Sequence, residues 1–277
     1  MSTRRRRSTL FVGALVLDGL PAALASGADL VCIDLEDAVP PGRKDEAREA
    51  VLAALEGVAV PAGVQLVARV NAIGSAEGEA DMRALAPVAS LGALMIPKAE
   101  SADDARRAAR MLTSAHSRAE LYAIIETAQG LEDCVAVARS DPRLAALFFG
   151  GFDLSTSLGC AMEWEPLLYA RSRVVHAGAL AGLDVIDSPF PDVNDLAGLA
   201  DTCRRVKALG MSGKCAKHAS QVATIRAAFT PSAAELARAR KILEVFRQDP
   251  TRPLVFEGKL VELPAIKKLE RLVALET

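Results

Sequence analysis

The chain has 277 residues, of which 51% are hydrophobic, 25% charged and only 4% aromatic, and its formal net charge is -2. A single α/β barrel needs roughly 250 residues, so the length suits one such domain. The near-neutral charge gives no electrostatic reason to expect a nucleic-acid partner. Five cysteines without CxxC spacing are typical of buried thiols in a reducing compartment.

The first segment has two interpretations. Residues 4–7 are basic, residues 9–17 are largely apolar and residues 22–25 are small, as in a secretory signal. Alternatively, residues 10–13 form a first strand and residues 21–26 the helix after it. We favour the second, because that helix runs directly into an acidic cluster at Asp34. Since no apolar run approaches the roughly 18 residues of a membrane span, we expect a cytoplasmic protein with no membrane partner.

A unit then recurs along the chain: an Ala/Leu-rich helix, a glycine, a short apolar run and a polar residue. Glycine just past a helix end is a common C-cap, and apolar runs without alternation are typical of parallel strands covered on both faces. The chain shows no GxGxxG after the first strand and no Walker loop, which argues against nucleotide binding. Eight alternating units predict a closed (β/α)8 TIM barrel rather than an open sheet. The predicted strands are residues 10–13, 30–33, 65–70, 93–96, 121–125, 145–149, 183–186 and a last one within 211–217.

The end of the chain does not continue this pattern. Residues 231–247 are helical in character, but no ninth strand follows them. A loop at residues 249–253 then separates a tail with an apolar helix at residues 266–275. We therefore predict a barrel catalytic domain at residues 1–248. Residues 249–277 would be a C-terminal extension that packs on a neighbouring subunit or caps the barrel.

Polar residues follow six of the predicted strands. The active sites of such barrels lie at the carboxyl ends of the strands, so these side chains should meet at one mouth. They are Asp34, Glu36 and Asp37 after the second strand, Arg69 at the end of the third, Lys98 after the fourth, Glu126 after the fifth, Gly150, Gly151 and Asp153 after the sixth, and Asp187 and Ser188 after the seventh.

This set is mainly acidic. Crowded carboxylates raise each other's pKa unless a cation neutralises them, and oxygen ligands without His or Cys favour Mg²⁺, with Mn²⁺ as an alternative. Glu126 and Asp153 are the natural pair of ligands, and Gly151 would let the backbone approach a ligand closely. The planar fork of Arg69 suits a substrate carboxylate. A metal that holds a 2-oxo acid would stabilise the oxyanion formed in carbon–carbon cleavage.

Several motifs carry a resemblance over nearly the whole chain. They are Asp-Leu-Glu-Asp-Ala-Val at residues 34–39, Arg-Val-Asn at 69–71, Ile-Glu-Thr at 125–127, Gly-Gly-Phe-Asp at 150–153 and Gly-Lys at 213–214. Together they resemble the citrate lyase β-subunit-like branch of the HpcH/HpaI aldolase superfamily. The Asp-Leu-Glu-Asp-Ala-Val string combined with Ile-Glu-Thr is the specific part, because each motif alone would be weak.

The resemblance implies a Mg²⁺-dependent barrel that assembles into homotrimers or hexamers. Its members cleave citryl-, malyl- or citramalyl-CoA into acetyl-CoA and a 2-oxo acid, so coenzyme A would enter as part of the substrate. By that likeness Glu126 and Asp153 would ligate the metal, and Arg69 and Glu126 would contact the substrate. From their own positions at the strand ends, Gly151 would also contact the substrate, and Glu36 and Asp37 would orient water around the metal.

Three departures leave the substrate open. Residues 13–17 are apolar where the family has Pro-Gly and basic residues that hold the thioester carrier. Lys217 and His218 stand where Ile-His-Pro is usual, and Glu262 stands where some acyl-CoA lyases use an Asp as acid/base in a neighbouring subunit's site. The leading interpretation is an acyl-CoA lyase. The alternatives are an aldolase for free 2-oxo acids, or a carrier-dependent or non-catalytic subunit of a larger lyase.

Overall fold

The computed structural model describes residues 5–248 and 254–274, apart from the side chain of Arg271. They divide into two compact units, one of residues 5–229 and one that begins at residue 230. The loop predicted at residues 249–253 and the last residue of the helix predicted at 266–275 lie outside the described residues.

The first unit is a closed barrel of eight parallel strands in chain order. The barrel closes because β1 pairs with both β2 and β8. The predicted (β/α)8 fold is therefore confirmed. The strands are β1 Ser8–Gly13, β2 Leu30–Asp34, β3 Gln65–Arg69, β4 Ala93–Ile96, β5 Glu120–Ile125, β6 Leu144–Phe149, β7 Asp184–Asp187 and β8 Gly213–Ala216.

Helices connect successive strands, and two of them follow β6. Local signals fix several ends: the Ser101 hydroxyl and Asp104 form a capping box at the start of α4, and Gly182 and Gly210 end α7 and α8 with positive φ, as predicted from the helix–glycine–strand pattern. The helices are α1 Leu20–Leu24, α2 Lys44–Leu55, α3 Ala76–Leu85, α4 Ala102–Ser114, α5 Ala128–Ala138, α6 Gly151–Leu158, α7 Trp164–Ala181, α8 Leu196–Leu209 and α9 Val222–Phe229.

Alternate residues of each strand pack into two different apolar layers. In β2, Leu30 and Cys32 belong to a cluster built from alternate residues of the strands, which fills the barrel interior, whereas Val31 and Ile33 pack in the layer between strands and helices. Both faces are buried, which is why the strands show no polar alternation. The same alternation decides which residue beyond each strand faces the mouth of the barrel.

A polar cluster closes the opposite end, where the strands begin. Arg6 is 3% exposed, and its Nε donates to the Tyr122 hydroxyl at 2.9 Å. Its two terminal nitrogens donate to Asp184 at 2.6 Å and Glu120 at 2.8 Å. The Tyr122 hydroxyl in turn donates to Gln65 Oε1 at 2.5 Å, and burial raises the pKa of Tyr122. We call these five residues the bottom cluster; no local pattern in the sequence predicts it.

The second unit contains α10 Ala233–Gln248, a hairpin of β9 Leu254–Phe256 and β10 Lys259–Val261, and α11 Leu263–Ala274. Ile242, Leu243, Phe256 and Ile266 form its apolar core. The hairpin was not predicted, and it turns at Glu257 and Gly258, which both have positive φ. The predicted domain boundary after residue 248 stays a prediction, although α10 packs here with the tail.

In the described part of the chain, no helix combines the length and the apolar character needed to cross a membrane. The cytoplasmic location stays a prediction.

Candidate active site

A cavity of about 450 Å³ lies at the carboxyl ends of the barrel strands. We call it the mouth cavity. Residues at or just beyond the ends of six strands, β2, β3, β5, β6, β7 and β8, line it, and among them are Asp34, Arg69, Glu126, Asp153 and Ser188. All five were predicted to converge there from their places in the sequence.

Asp34 holds the loop after β2 and the arginine of β3 together. Its Oδ1 accepts hydrogen bonds from Arg69 Nε at 2.7 Å and from the Glu36 backbone N–H at 3.0 Å. Its Oδ2 accepts from Arg69 Nη2 at 2.6 Å and from the Ala38 backbone N–H at 3.2 Å. All four hydrogen bonds join Asp34 to groups of the protein itself, so we regard Asp34 as a positioning residue.

Arg69 is largely engaged by carboxylates. Its Nε/Nη2 edge makes the bidentate pair with Asp34, and its Nη1 lies 3.0 Å from Glu36 Oε2 and 3.1 Å from Asp37 Oδ2. Although burial works against the charge, these carboxylates raise the pKa of Arg69. The edge best suited to a substrate carboxylate is therefore already occupied. Arg69 lines the mouth cavity, and its contact with substrate stays a prediction.

Glu36 and Asp37 differ in their environments. Glu36 is buried, accepts a hydrogen bond from the Lys98 ammonium and forms an ion pair with Arg69, and burial raises its pKa. The Asp37 side chain is 54% exposed. Burial of its carboxyl opposes its charge, but Arg69 and a hydrogen bond with Glu36 lower its pKa. Asp37 is thus held as a carboxylate at the rim, and Glu36 is held by two cations.

Lys98 adopts a backbone conformation that side-chain patterns do not reveal. Its φ is 48°, a region that non-glycine residues enter at a cost and that is common at functional sites. In this conformation its backbone N–H donates to Glu126 Oε1 at 2.9 Å, while its ammonium pairs with Glu36. One residue therefore connects the loops after β2 and β5.

Glu126 is an almost fully buried carboxyl, 2% exposed, that lines the mouth cavity. Burial, with a smaller contribution from Asp153, raises its pKa to about 7. The glycine at position 150 is needed here, because a Cβ would lie 2.4 Å from Glu126 Cβ and 2.5 Å from its Oε2. Gly151 is confined in the same way, since a Cβ there would lie 2.8 Å from Met162 Cε and 3.0 Å from the Ser188 hydroxyl.

Asp153 is the third residue of α6 and also lines the mouth cavity. Within residues 5–248 and 254–274 no group of three or more His, Cys, Asp or Glu side chains is arranged to hold a metal. Two carboxylates, Glu126 and Asp153, are nevertheless a donor set that Mg²⁺ accepts, because this ion keeps several water or substrate ligands.

The charges at the mouth support the same conclusion. Five carboxylates, at residues 34, 36, 37, 126 and 153, meet three cations, at residues 69, 98 and 217, so negative charge is in excess by two. The raised pKa of Glu126 is a direct result of burial without a paired cation. A divalent cation fits both the donor chemistry and the charge of this site.

The prediction that Asp187 faces the mouth is wrong. Asp187 is fully buried and pairs with Arg171 at 3.0 Å and with Lys214. In β7 it is Ile186 that belongs to the interior cluster, so Asp187 points outward, toward α7. Ser188, the next residue, has the inward phase and lines the cavity.

Cys215, His218 and Glu262 differ in their surroundings. Cys215 lies in the interior cluster, and burial raises its pKa to about 12, so it stays a thiol. His218 is exposed, and its Nδ1 accepts from the Ser220 backbone N–H. Glu262 lies exposed between β10 and α11 in the second unit.

Comparison with known proteins places this site in context. The HpcH/HpaI aldolase/citrate lyase family model matches residues 7–219. The chain is 32% identical to a citrate lyase subunit beta-like protein of Deinococcus radiodurans, over 98% of this chain and 97% of that protein. It is 29% identical to human mitochondrial citramalyl-CoA lyase, over 98% and 86% of the two chains. It is 32% identical to L-malyl-CoA/beta-methylmalyl-CoA lyase of Cereibacter sphaeroides, over 90% and 87%.

Solved structures agree with the sequence comparison. The fold matches CitE of Mycobacterium tuberculosis in complex with magnesium, acetoacetate and coenzyme A, with a TM-score of 0.82 and 28% identity over 99% of both chains. It also matches RipC of Yersinia pestis, with a TM-score of 0.74 and 36% identity, over 85% of this chain and 100% of that one.

Proposed function

The chain belongs to the HpcH/HpaI aldolase/citrate lyase family, and from that premise we propose that it cleaves a 3-hydroxyacyl-CoA thioester into acetyl-CoA and a 2-oxo acid. It is a carbon–carbon lyase, as its citramalyl-CoA and malyl-CoA lyase relatives are. The observation that carries the proposal is the pair Glu126 and Asp153 in a mouth with excess negative charge.

Glu126 and Asp153 would hold Mg²⁺, or Mn²⁺ in its place. The bound cation would supply Lewis-acid stabilisation of the oxyanion that develops on the 2-oxo acid. The carboxyl of Glu126 would lose its proton when a cation binds, because the cation offsets the effect of burial. Metal affinity should therefore rise as pH rises toward 7.

The residues around this pair position it. Asp34 fixes Arg69 and the backbone after β2, and Lys98 fixes Glu126 through its N–H. Glu36 and Asp37 would orient water and substrate at the rim, and Arg69 would contribute positive charge to the substrate carboxylate through its remaining N–H groups. Gly151 would bring the start of α6 close to the substrate.

The reaction also needs a group that handles protons. Cleavage breaks the bond between the thioester's α-carbon and the alcohol carbon. The alcohol loses its proton, the electron pair passes to the α-carbon, and that carbon takes up a proton to give acetyl-CoA. We assign this acid/base role to Glu262, supplied by a neighbouring subunit. The support is the family resemblance of its surroundings and its exposed position.

We further propose that the chain forms a homotrimer or hexamer. Three apolar side chains around Glu262 are strongly exposed: Val255 at 63%, Leu260 at 60% and Leu263 at 60%. Burial against a second copy would remove this surface from water. A mixture of Glu262→Gln and Glu126→Gln subunits should regain activity that neither variant has alone, because mixed assemblies contain intact composite sites. A monomer by light scattering, or no recovery after mixing, would contradict the proposal.

One assay tests the function itself. The purified protein should release free 2-oxo acid from citramalyl-, malyl- or citryl-CoA with Mg²⁺, lose activity in EDTA, and regain it with Mg²⁺ or Mn²⁺. Val16, in the apolar segment after β1, is 65% exposed, and this segment offers no cation to a carrier phosphate. Cleavage of free hydroxy acids but not of thioesters would identify an aldolase instead. Inactivity on both would point to a carrier-dependent or non-catalytic subunit.

A further inference from the structure

Ser188 carries a buried hydroxyl at the mouth cavity that has no protein partner. The residue is 2% exposed, and among the described residues no group makes a hydrogen bond with its Oγ. Burying a hydroxyl without a partner costs free energy, so such a group in a cavity wall indicates a water or ligand partner. Ser188 follows β7 with the inward phase, and its Oγ lies 3.0 Å from where a Gly151 Cβ would be.

The wall around Ser188 differs from the rest of the cavity. Pro189, Cys215 and Ala216 line it and offer no charge. Lys217, at the end of β8, adds one ammonium, which lies 4.5 Å from the centroid of the Phe152 ring. No carboxylate in the described ranges forms an ion pair with Lys217. The wall formed by β7 and β8 therefore offers one hydroxyl donor and one cation free of carboxylate partners, on adjacent strands.

We propose that Ser188 and Lys217 form a specificity subsite for an acidic substituent on the alcohol carbon of the substrate. This rests on the lyase function proposed above. The carbonyl and carboxylate of the 2-oxo acid belong with Glu126, Asp153 and Arg69, on the side of β3, β5 and β6. A substituent directed toward β7 and β8 meets a donor and a positive charge, the combination that recognises a carboxylate. A hydrogen atom or a methyl group in that position would form neither a hydrogen bond with the Ser188 hydroxyl nor an ion pair with the Lys217 ammonium.

The test compares three thioesters that differ only in this substituent. Malyl-CoA carries hydrogen, citramalyl-CoA carries methyl and citryl-CoA carries a carboxymethyl group. We expect Ser188→Ala to lower kcat/KM for citryl-CoA by about tenfold or more, the effect of losing a hydrogen bond to a charged group. The two neutral substituents should lose far less. Lys217→Gln should lower the same citryl-CoA value, and more strongly at low ionic strength.

Ser140→Ala is the matched control, because the Ser140 hydroxyl is also buried without a partner but does not line the mouth cavity. It should leave the ratio between the three substrates at the parent value. Equal losses on all three substrates in Ser188→Ala, or a parent enzyme that favours the methyl substituent, would overturn the subsite. A parent inactive on every thioester would instead show that the proposed function is wrong.

Discussion

The two ends of the barrel bury polar groups in opposite ways. In the bottom cluster one guanidinium meets two carboxylates, and Tyr122 and Gln65 complete each other's hydrogen bonds. At the mouth, carboxylates exceed cations, burial raises the pKa of Glu126 to about 7, and the Ser188 hydroxyl has no hydrogen-bond partner among the described residues. The bottom cluster is complete as a protein structure, whereas the mouth is complete only with a cation and a substrate. Ligand binding is thus indicated by unpaired polar groups and not by buried charge as such.

The largest expected effect is at the mouth. Glu126→Gln and Asp153→Asn should each lower kcat/KM by about a thousandfold or more, because each removes a proposed ligand of the cation that would stabilise the oxyanion. Mg²⁺ binding by calorimetry should weaken in both, while circular dichroism shows a folded barrel. Full activity in a chelated sample of the parent would contradict the metal role.

The raised pKa of Glu126 also predicts a pH dependence of stability in EDTA. The folded protein binds this proton up to about pH 7, whereas the unfolded chain releases it near pH 4.5. Stability therefore falls as pH rises from 4.5 to 7, by about 3 kcal/mol for this group. Denaturant unfolding at pH 5 and pH 8 measures this fall in the free energy of unfolding. In Glu126→Gln the contribution of this carboxyl to the fall should be absent. Equal pH slopes in parent and variant would refute the assignment.

A substitution in the bottom cluster should lower stability and leave catalysis unchanged. Arg6→Met should destabilise the fold by about 3 kcal/mol, because Glu120 and Asp184 lose their shared cation and Tyr122 loses a donor. Turnover by the folded fraction should not change. The control is Arg6→Lys, which keeps the charge but cannot reach all three partners. A large loss of kcat/KM at unchanged stability would show that the ends are not independent.

Arg69→Lys should affect stability and catalysis together. Lysine keeps the charge but loses the bidentate pair with Asp34, so we expect about 1–2 kcal/mol of destabilisation. The loop after β2 loses its anchor, and kcat/KM should fall about tenfold. Unfolding curves and steady-state kinetics measure the two separately. Normal turnover with lower stability would show that Arg69 has only a structural role. Reduced turnover with normal stability would show that Arg69 only binds substrate.

The smallest effect concerns the backbone of Lys98. Both Lys98→Gly and Lys98→Ala remove the ion pair with Glu36 and keep the N–H that binds Glu126. Only glycine accepts a φ of 48° without strain, so the glycine variant should be more stable than the alanine variant by about 1 kcal/mol. Equal stabilities would show that the conformation is not held in solution.

The sequence predicted the barrel well because its signals are local. Apolar runs, helix-ending glycines and polar residues after strands depend on near neighbours, and they located Asp34, Arg69, Glu126 and Asp153 correctly at the mouth. The prediction failed where a shift of one residue along a strand decides which side chain points inward, as at Asp187. A four-residue strand that is buried on both faces shows no polar alternation from which that direction could be read.

Long-range pairings were also beyond the sequence. Arg6 meets Tyr122 and Asp184, which lie 116 and 178 residues away, and no local pattern reports such distances. The positive φ of Lys98 is imposed by its contacts with Glu126 and Glu36, since lysine has no intrinsic preference for it. That Ser188 and Lys217 line the same wall of the mouth could be recognised only once the cavity was known.

The filled axis of the barrel has a kinetic consequence. Met95, Tyr122 and Phe148 occupy the interior, and the bottom cluster closes the strand starts, so a molecule in the mouth cavity cannot pass through the axis. In the proposed reaction the small 2-oxo acid would form beside Glu126 and Asp153, and the longer thioester product would extend from the mouth cavity toward solvent. The two products should then leave in a fixed sequence, acetyl-CoA first, with the 2-oxo acid binding first in the reverse direction.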